Sequence, residues 1–352
     1  MVRSRHARKV LLILGMVSST FSAAATTELL PAPAYMHPQQ LVTVAAGRRL
    51  NLYCVGVGEP TVLFDSGLGD GTLIWRLIQT DIAKTTRACS YDRANYFYSD
   101  NVQRSATAQA AVDDMLALID KAKLGRRVIL VGHSRGGLNV RLFAYEHTDR
   151  VAGLVMIDPT ATEQLNLVAT PHFVQKYENY LHMGQKLGNC EQLAAQHQLL
   201  VDGNDPSKCL DDFGVQTDPQ ENALAVATRS METRAVFQGT LFSERQNLFY
   251  PINNDGYSTD GLSIAQSERS LGDIPLTVIV ANGFKSKSFK GTPTPEILKF
   301  FAWREDELRK VVDESTSGEF VEVASGHYIQ KDRPDVVLAA IHRVVDVSRT
   351  QH

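Results

Sequence analysis

An α/β architecture, with a mostly parallel sheet flanked by helices and interrupted by an inserted helical cap, is written into this 352-residue chain in three patterns. Residues 128–131, 151–157 and 274–281 are apolar runs with few polar interruptions, as strands buried on both faces of a parallel sheet require. Between such runs lie segments of helical period: across residues 107–124, Ala111, Met115, Leu118, Ile119 and Ala122 share one face. The alternation then stops over residues 160–270, which carry helix-like stretches and no strand run.

Residues 1–25 read as a secretory signal peptide. Arg3, Arg5, Arg8 and Lys9 precede an apolar run over residues 10–17, and Ser22, Ala23, Ala24 and Ala25 supply small side chains for cleavage after Ala25. The run is too short to span a bilayer and holds no cysteine for a lipid. The mature protein is therefore expected to be secreted or periplasmic, with no stable membrane anchor after signal cleavage. A hydrophobic content of 43% supports a substantial core. The net charge of −3, with no basic block after the amino terminus, argues against nucleic acid or an anionic membrane as partner.

Residues 26–40, rich in Pro and Ala, form an extended lead-in, and residues 41–159 make the first part of the core. Residues 41–44 and 50–55 pair as a hairpin about Ala46-Gly47. The strand over residues 61–64 ends in the Gly-rich turn Asp65-Ser66-Gly67-Leu68-Gly69-Asp70-Gly71, which opens a helix near residues 73–78. A strand at residues 87–91 is closed by Asp92-Arg93-Ala94-Asn95-Tyr96, where Asp92 and Arg93 suggest an ion pair or a backbone clamp under the pocket. The helix at 107–124 leads into the strand at 128–131, a further helix follows, and the strand at 151–157 ends in Asp158-Pro159.

The cap, residues 160–270, offers helical stretches at 173–187, 191–200 and 221–242, with a loop at Asn204-Asp205-Pro206. Phe173, Tyr177, Tyr180, Met183, Met231, Phe237 and Phe242 could line a pocket there, although helical spacing favours plain packing for most of them. Residues 271–352 complete the core with a strand at 274–281, a polar loop, a helix at 296–312, a strand at 319–323 and a closing helix at 334–347.

Four cysteines in an oxidising compartment suggest two disulfides, and four thiols allow three pairings. Cys190 and Cys209 flank one polar loop, while Cys54 and Cys89 sit in strand-like runs and are neighbours if those strands pair. The expected bonds are Cys54–Cys89 and Cys190–Cys209. No Cys-x-x-Cys or His-x-x-x-His spacing points to a metal.

The chemistry centres on Gly132-His133-Ser134-Arg135-Gly136, a G-x-S-x-G between an apolar strand and an amphipathic helix. In that setting Ser134 occupies a sharp strand-to-helix turn, exposed at the carboxyl edge of the sheet. A serine hydroxyl is a weak nucleophile and needs a base, oriented in turn by a carboxylate. His327, after the last strand, is the candidate base. The usual place for the acid is the loop at 282–295, which contains no Asp or Glu, so Asp158 at the end of the preceding strand is the first candidate; Glu163, Glu296 and Asp306 remain as alternatives. Backbone N–H groups of Leu68, in the Gly-rich turn, and of Arg135, after the serine, are the candidate oxyanion donors. His133 is expected to pack.

Phe64-Asp65-Ser66-Gly67-Leu68-Gly69, Tyr91-Asp92-Arg93-Ala94, the elbow around Ser134, Val155-Met156-Ile157-Asp158-Pro159 and Ser325-Gly326-His327-Tyr328 together resemble the α/β-hydrolase fold superfamily. The likeness runs from about residue 41 to 347, excepting the cap. It implies an eight-stranded, mostly parallel sheet whose second and fourth strands are adjacent, which would set Cys54 beside Cys89. It also implies an acyl-serine on Ser134, His327 as base and then acid, and an oxyanion hole at Leu68 and Arg135. Two departures stand out: Asp65-Ser66-Gly67 replaces the commoner His-Gly, and the acid follows the sixth strand. The expectation is a secreted serine hydrolase of small-molecule carboxylic esters, needing no cofactor. Rivals are an amidase or aminopeptidase, with Glu163, Glu178, Glu232 or Glu244 reading a free amine, and a non-catalytic receptor on the same fold.

Overall fold

The structure is a computed structural model that describes residues 29–161, 186, 188–201, 206–210, 217–250, 252, 257–283 and 291–351. The expected signal segment 1–25 and the cap residues Glu163, Phe173, Tyr177, Glu178, Tyr180 and Met183 lie outside the described residues.

Eight strands form one sheet: β1 (Gln40–Ala45), β2 (Arg48–Val55), β3 (Thr61–Asp65), β4 (Ala88–Tyr91), β5 (Val128–His133), β6 (Val151–Ile157), β7 (Leu276–Ala281) and β8 (Gly318–Val323). Their spatial order is β1-β2-β4-β3-β5-β6-β7-β8. The β1–β2 hairpin is antiparallel and β2 meets β4 antiparallel, while all pairings from β4 to β8 are parallel. Cys54 and Cys89 stand directly opposite each other in the β2–β4 register and are bonded. The second disulfide joins Cys190 and Cys209.

The apolar runs are explained by the two layers that cover the sheet. Every residue of β3, β5, β6 and β7 is buried. Because successive side chains on a strand point to opposite faces, Leu63, Leu130, Leu154 and Val278 pack into one core, and Val62, Ile129, Val155 and Ile279 into the other. Helices α2 (Ala108–Lys121) and α3 (Arg135–Glu146) fill the first with Met115 and Phe143. Helix α1 (Arg76–Ile82) and the closing helix cover the second with Ile78, Ile82, Val337 and Ile341. Each such side chain contributes about 1.5–3 kcal/mol on burial, which is why these two faces define the fold.

Between β6 and β7 the described residues include α4 (Pro219–Glu232), α5 (Ala235–Phe249) and α6 (Thr259–Ser267). The sequence pattern suggests one helix over residues 221–242. Arg234 instead adopts an extended backbone (φ −70°, ψ 132°), which ends α4 and restarts the chain as α5. The Gly-rich turn opens first into a 3-10 turn, Thr72–Trp75, and only then into α1. Helix α7 (Pro295–Asp313) precedes β8, and after β8 come α8 (Ile329–Asp332) and α9 (Pro334–Thr350). The four-residue α8 is too short to leave a periodic signal. Parallel pairing sets the carboxyl ends of β3, β5, β6 and β7 side by side, where Asp65, His133 and Asp158 stand.

Candidate active site

Strand β5 ends at His133 and α3 begins at Arg135, so Ser134 alone makes the reversal. Its backbone lies at φ +53°, ψ −117°, a region that L-residues occupy only when the surroundings force it. Here the Ser134 N–H donates to Ile157 O at 3.0 Å, and its carbonyl accepts from Gly137 N at 3.0 Å and Thr160 N at 3.1 Å. Close approach accounts for the flanking glycines. A Cβ on Gly132 would sit 2.3 Å from Gly136 O, and one on Gly136 would sit 2.2 Å from Asp65 O. Ser134 itself remains partly exposed.

His327 and Asp158 are in contact: Nδ1 of the imidazole lies 2.5 Å from Asp158 Oδ2. Asp158 is buried and, like Ser134, strained, with φ +44°. Its other oxygen, Oδ1, accepts from Ala281 N at 2.8 Å and from the Arg304 guanidinium of α7 at 2.7 Å. Burial pushes this carboxyl up, yet Arg304, His327 and the Ala281 N–H together outweigh it and hold the group below the ordinary carboxylate value. The alternative acid Asp306 is exposed on α7.

His133 does more than fill space. Its Nε2 donates to the carbonyl oxygen of His327 at 3.0 Å, and the two rings lie 4.7 Å apart. Burial, reinforced by the neighbouring His327, lowers its pKa to about 3, so it is neutral at any working pH. The residue before Ser134 thus holds the backbone of the candidate base. From the far side, Asp332 accepts from Gly326 N at 2.9 Å and Ser325 Oγ at 3.2 Å, closing the loop on which His327 rides.

The Gly-rich turn is gripped by Arg93, the clamp foreseen after β4. The ion-pair alternative with Asp92 is not what forms: Asp92 accepts instead from Thr72 N and Asn51 Nδ2, both at 2.8 Å. Arg93 NH1 donates to Asp65 Oδ1 (3.0 Å) and Ser66 O (2.7 Å), while NH2 donates to Gly67 O (2.7 Å) and Glu244 Oε2 (3.1 Å). Its Nε donates to Glu244 Oε1 at 2.8 Å. All five N–H groups of the fork are used. A trans peptide sets a carbonyl and the following N–H on opposite sides. Fixing Gly67 O against Arg93 therefore turns the Leu68 N–H away from it.

Beside this turn lies a cavity of about 260 Å³, lined in part by Asp70, Leu73, Phe97, Leu224, Glu232 and Lys331. It brings together the turn, α4 and α8, the segment that follows His327. Phe237, anticipated as a pocket candidate, is buried against Tyr96 and Phe97 at ring distances of 4.8 and 5.4 Å. Glu244, weighed as a reader of amines, is enclosed: beyond Arg93 it accepts from Tyr96 OH at 2.8 Å and lies 3.5 Å from Arg135 Nε. Sequence reasoning missed Arg304 and the structural part of Glu244. Both left a signal. Arg304 shares a helical face with the buried Leu308 and Val311, and Glu244 sits seven residues after buried Phe237 and four before buried Leu248. A charge on an apolar helical face needs a buried partner.

Residues 60–233 match the family model described as the alpha/beta hydrolase fold. Among curated proteins, the 2-hydroxymuconate semialdehyde hydrolase of Pseudomonas sp. (strain CF600) is 33% identical over 121 residues, 32% of this chain and 41% of that protein. The chain spans less than half the length of the curated relatives it matches. Of solved structures, a proposed epoxide hydrolase from Pseudomonas aeruginosa superposes with a TM-score of 0.61 at 17% identity, covering 92% of this chain and 99% of that one. A thermophilic esterase from Thermogutta terrifontis gives 0.53 at 19% identity, covering 88% and 98%.

Proposed function

Since the chain belongs to the α/β-hydrolase fold superfamily, we propose that it is a secreted serine hydrolase that cleaves carboxylic esters of small molecules. Ser134 is the nucleophile, His327 the base and then the acid, and Asp158 the carboxylate that holds the imidazole. His327 Nε2 takes the hydroxyl proton as Ser134 Oγ attacks the ester carbonyl. The tetrahedral oxyanion is met by the N–H groups of Leu68 and Arg135, and collapse expels the alcohol, which takes the proton from His327. Water then attacks the acyl-serine by the same route in reverse and releases the acid.

One observation carries this reading: the 2.5 Å contact between Asp158 and His327, at the end of the strand whose Ile157 O accepts from the N–H of Ser134, a serine held in a forced turn. The 260 Å³ cavity beside the Gly-rich turn supports a substrate group larger than a benzene ring, since a cavity of about 150 Å³ already holds benzene. The epoxide-hydrolase likeness is a likeness of fold. A serine opening an epoxide would form an ether, which water activated by a histidine does not cleave, whereas an acyl ester is hydrolysed readily. Secretion is supported by the leader pattern of residues 1–25 and by the two disulfides.

The test is labelling of the mature protein by a fluorophosphonate, followed by turnover of p-nitrophenyl esters graded by acyl length. Labelling and turnover are expected in the wild type and absent in Ser134→Ala. Folded wild type that is neither labelled nor active sinks the proposal, and hydrolysis of aminoacyl anilides in preference to esters replaces it with the amidase reading.

A further inference from the structure

Two arginines border the candidate oxyanion hole, and one carboxylate lies against both. Arg93 holds Ser66 O and Gly67 O, and so aims the peptide that carries the Leu68 N–H. Arg135 supplies the other N–H from the first position of α3, where helical geometry leaves it without an intrahelical partner. Glu244 of α5 takes Arg93 in a two-oxygen grip at 2.8 and 3.1 Å, stands 3.5 Å from Arg135 Nε, and accepts the Tyr96 hydroxyl. Arg135 NH1 also donates to the backbone carbonyl of Glu244 at 3.2 Å and to Asp260 Oδ2 of α6 at 2.5 Å. All five charged groups, Asp65, Arg93, Arg135, Glu244 and Asp260, are buried.

We infer that Glu244 is a positioning residue for oxyanion binding: a side chain from the segment between β6 and β7 fixes Arg93, and Arg93 fixes the Gly67–Leu68 peptide. The inference rests on the serine-hydrolase reading above. It adds that the segment expected to choose substrates also sets the catalytic geometry of the core. Arg93 has no spare donor, so its plane is determined by its acceptors. Three of these, Asp65 Oδ1, Ser66 O and Gly67 O, belong to the turn it must orient; Glu244 is the anchor outside that turn. With a neutral amide at 244, one acceptor becomes a donor facing Arg93 NH2, and the guanidinium can rotate. The carbonyl of Gly67 follows it, and with that the Leu68 N–H. An oxyanion donor displaced in this way acts on the transition state and not on ground-state binding.

The experiment compares Glu244→Gln, Glu244→Asp and Glu314→Gln with the wild type. Glu314→Gln breaks a different, partly buried pair, with Arg141, and controls for loss of stability. Active sites are counted by fluorophosphonate titration, so that kcat is expressed per competent molecule. Expected for Glu244→Gln is a fall in kcat of about 10- to 100-fold with KM within about twofold, and a parallel weakening of inhibition by an alkyl boronic acid that mimics the tetrahedral adduct. Glu244→Asp keeps the charge but withdraws it by one methylene, and kcat falls about 3- to 10-fold; it carries the test if the amide variant does not fold. Glu314→Gln retains wild-type kcat per site. If the Glu244 variants lose only competent molecules, with kcat and boronate affinity unchanged in those that remain, Glu244 is merely structural and the inference fails. A wild type that is not labelled at Ser134 overturns the underlying hydrolase reading, a result distinct from a labelled wild type with insensitive variants.

Discussion

Two clusters of buried charge flank Ser134, and they are built differently. The Asp158 cluster opens outward: Arg304 is 8% and Asp158 6% exposed, but the His327 imidazole that completes it is 49% exposed. The Arg93 cluster is sealed, from Asp65 through Glu244 and Arg135 to Asp260. A group that must take up and release protons needs a route to water and substrate, and only the first cluster has one. A group that orients backbone dipoles benefits from burial, where a fixed charge is little screened by solvent. Burial opposes the charge on Arg93, yet Glu244 and Asp65 outweigh it and hold the guanidinium above its ordinary value. One side of the serine is therefore suited to moving a proton and the other to holding still.

The largest expected effect separates these roles. Asp158→Asn leaves the shape of the open cluster but removes the charge that orients His327, and the activity per folded molecule should drop by about 10³- to 10⁴-fold. Steady-state kinetics on p-nitrophenyl esters reads this directly. A loss below tenfold would mean that another carboxylate serves the imidazole and that the open cluster is only a structural pair.

Much of the fold was legible because parallel sheets announce themselves. The doubly buried strands β5, β6 and β7 have no polar face to confuse the pattern, and Gly132 and Gly136 mark the turn because any side chain there meets backbone. Ser134, His327 and Asp158 each follow a strand run, so their edge was readable as well. What escaped was long-range and set by packing. Nothing local tells that Arg93 passes over Asp92 to reach a glutamate 151 positions later, or that Arg304 reaches back 146 positions to Asp158. The break at Arg234 was likewise hidden, since Thr233 and Arg234 carry no Gly or Pro to announce a stop.

A paired lysine substitution sharpens the contrast at intermediate size. Arg93 spends five donors on five acceptors, and a lysine offers three from a single point. Among the described residues, Arg304 donates from one nitrogen, NH2, to Asp158 Oδ1 and Pro159 O. Arg93→Lys should therefore lose about 2–4 kcal/mol of stability, near the range for breaking a buried ion pair, whereas Arg304→Lys should lose about 1 kcal/mol or less because the one charge can still be met. Urea unfolding of both variants measures the difference. Equal losses would remove the claim that the sealed cluster is the more demanding of the two.

The smallest effect concerns pH and again belongs to the open side. The folded Asp158 carboxyl ionises below its ordinary value, about 3.9 for an unfolded chain. Between those two values the unfolded chain binds more protons, so the stabilisation is fully present above the unfolded value and is lost as pH falls through the folded one. Arg304 is the leading favourable cause of the shift after the opposing burial, with His327 next and the Ala281 N–H after it. Arg304→Met removes the main cation. The gap in melting temperature between wild type and Arg304→Met should be constant above about pH 5 and should narrow as pH falls below about 4, where protonated Asp158 no longer distinguishes the two proteins. Melting curves taken from pH 7 to pH 3 decide it: a gap that stays level across the whole range would show that Arg304 acts by packing alone and that the open cluster owes nothing to its charge.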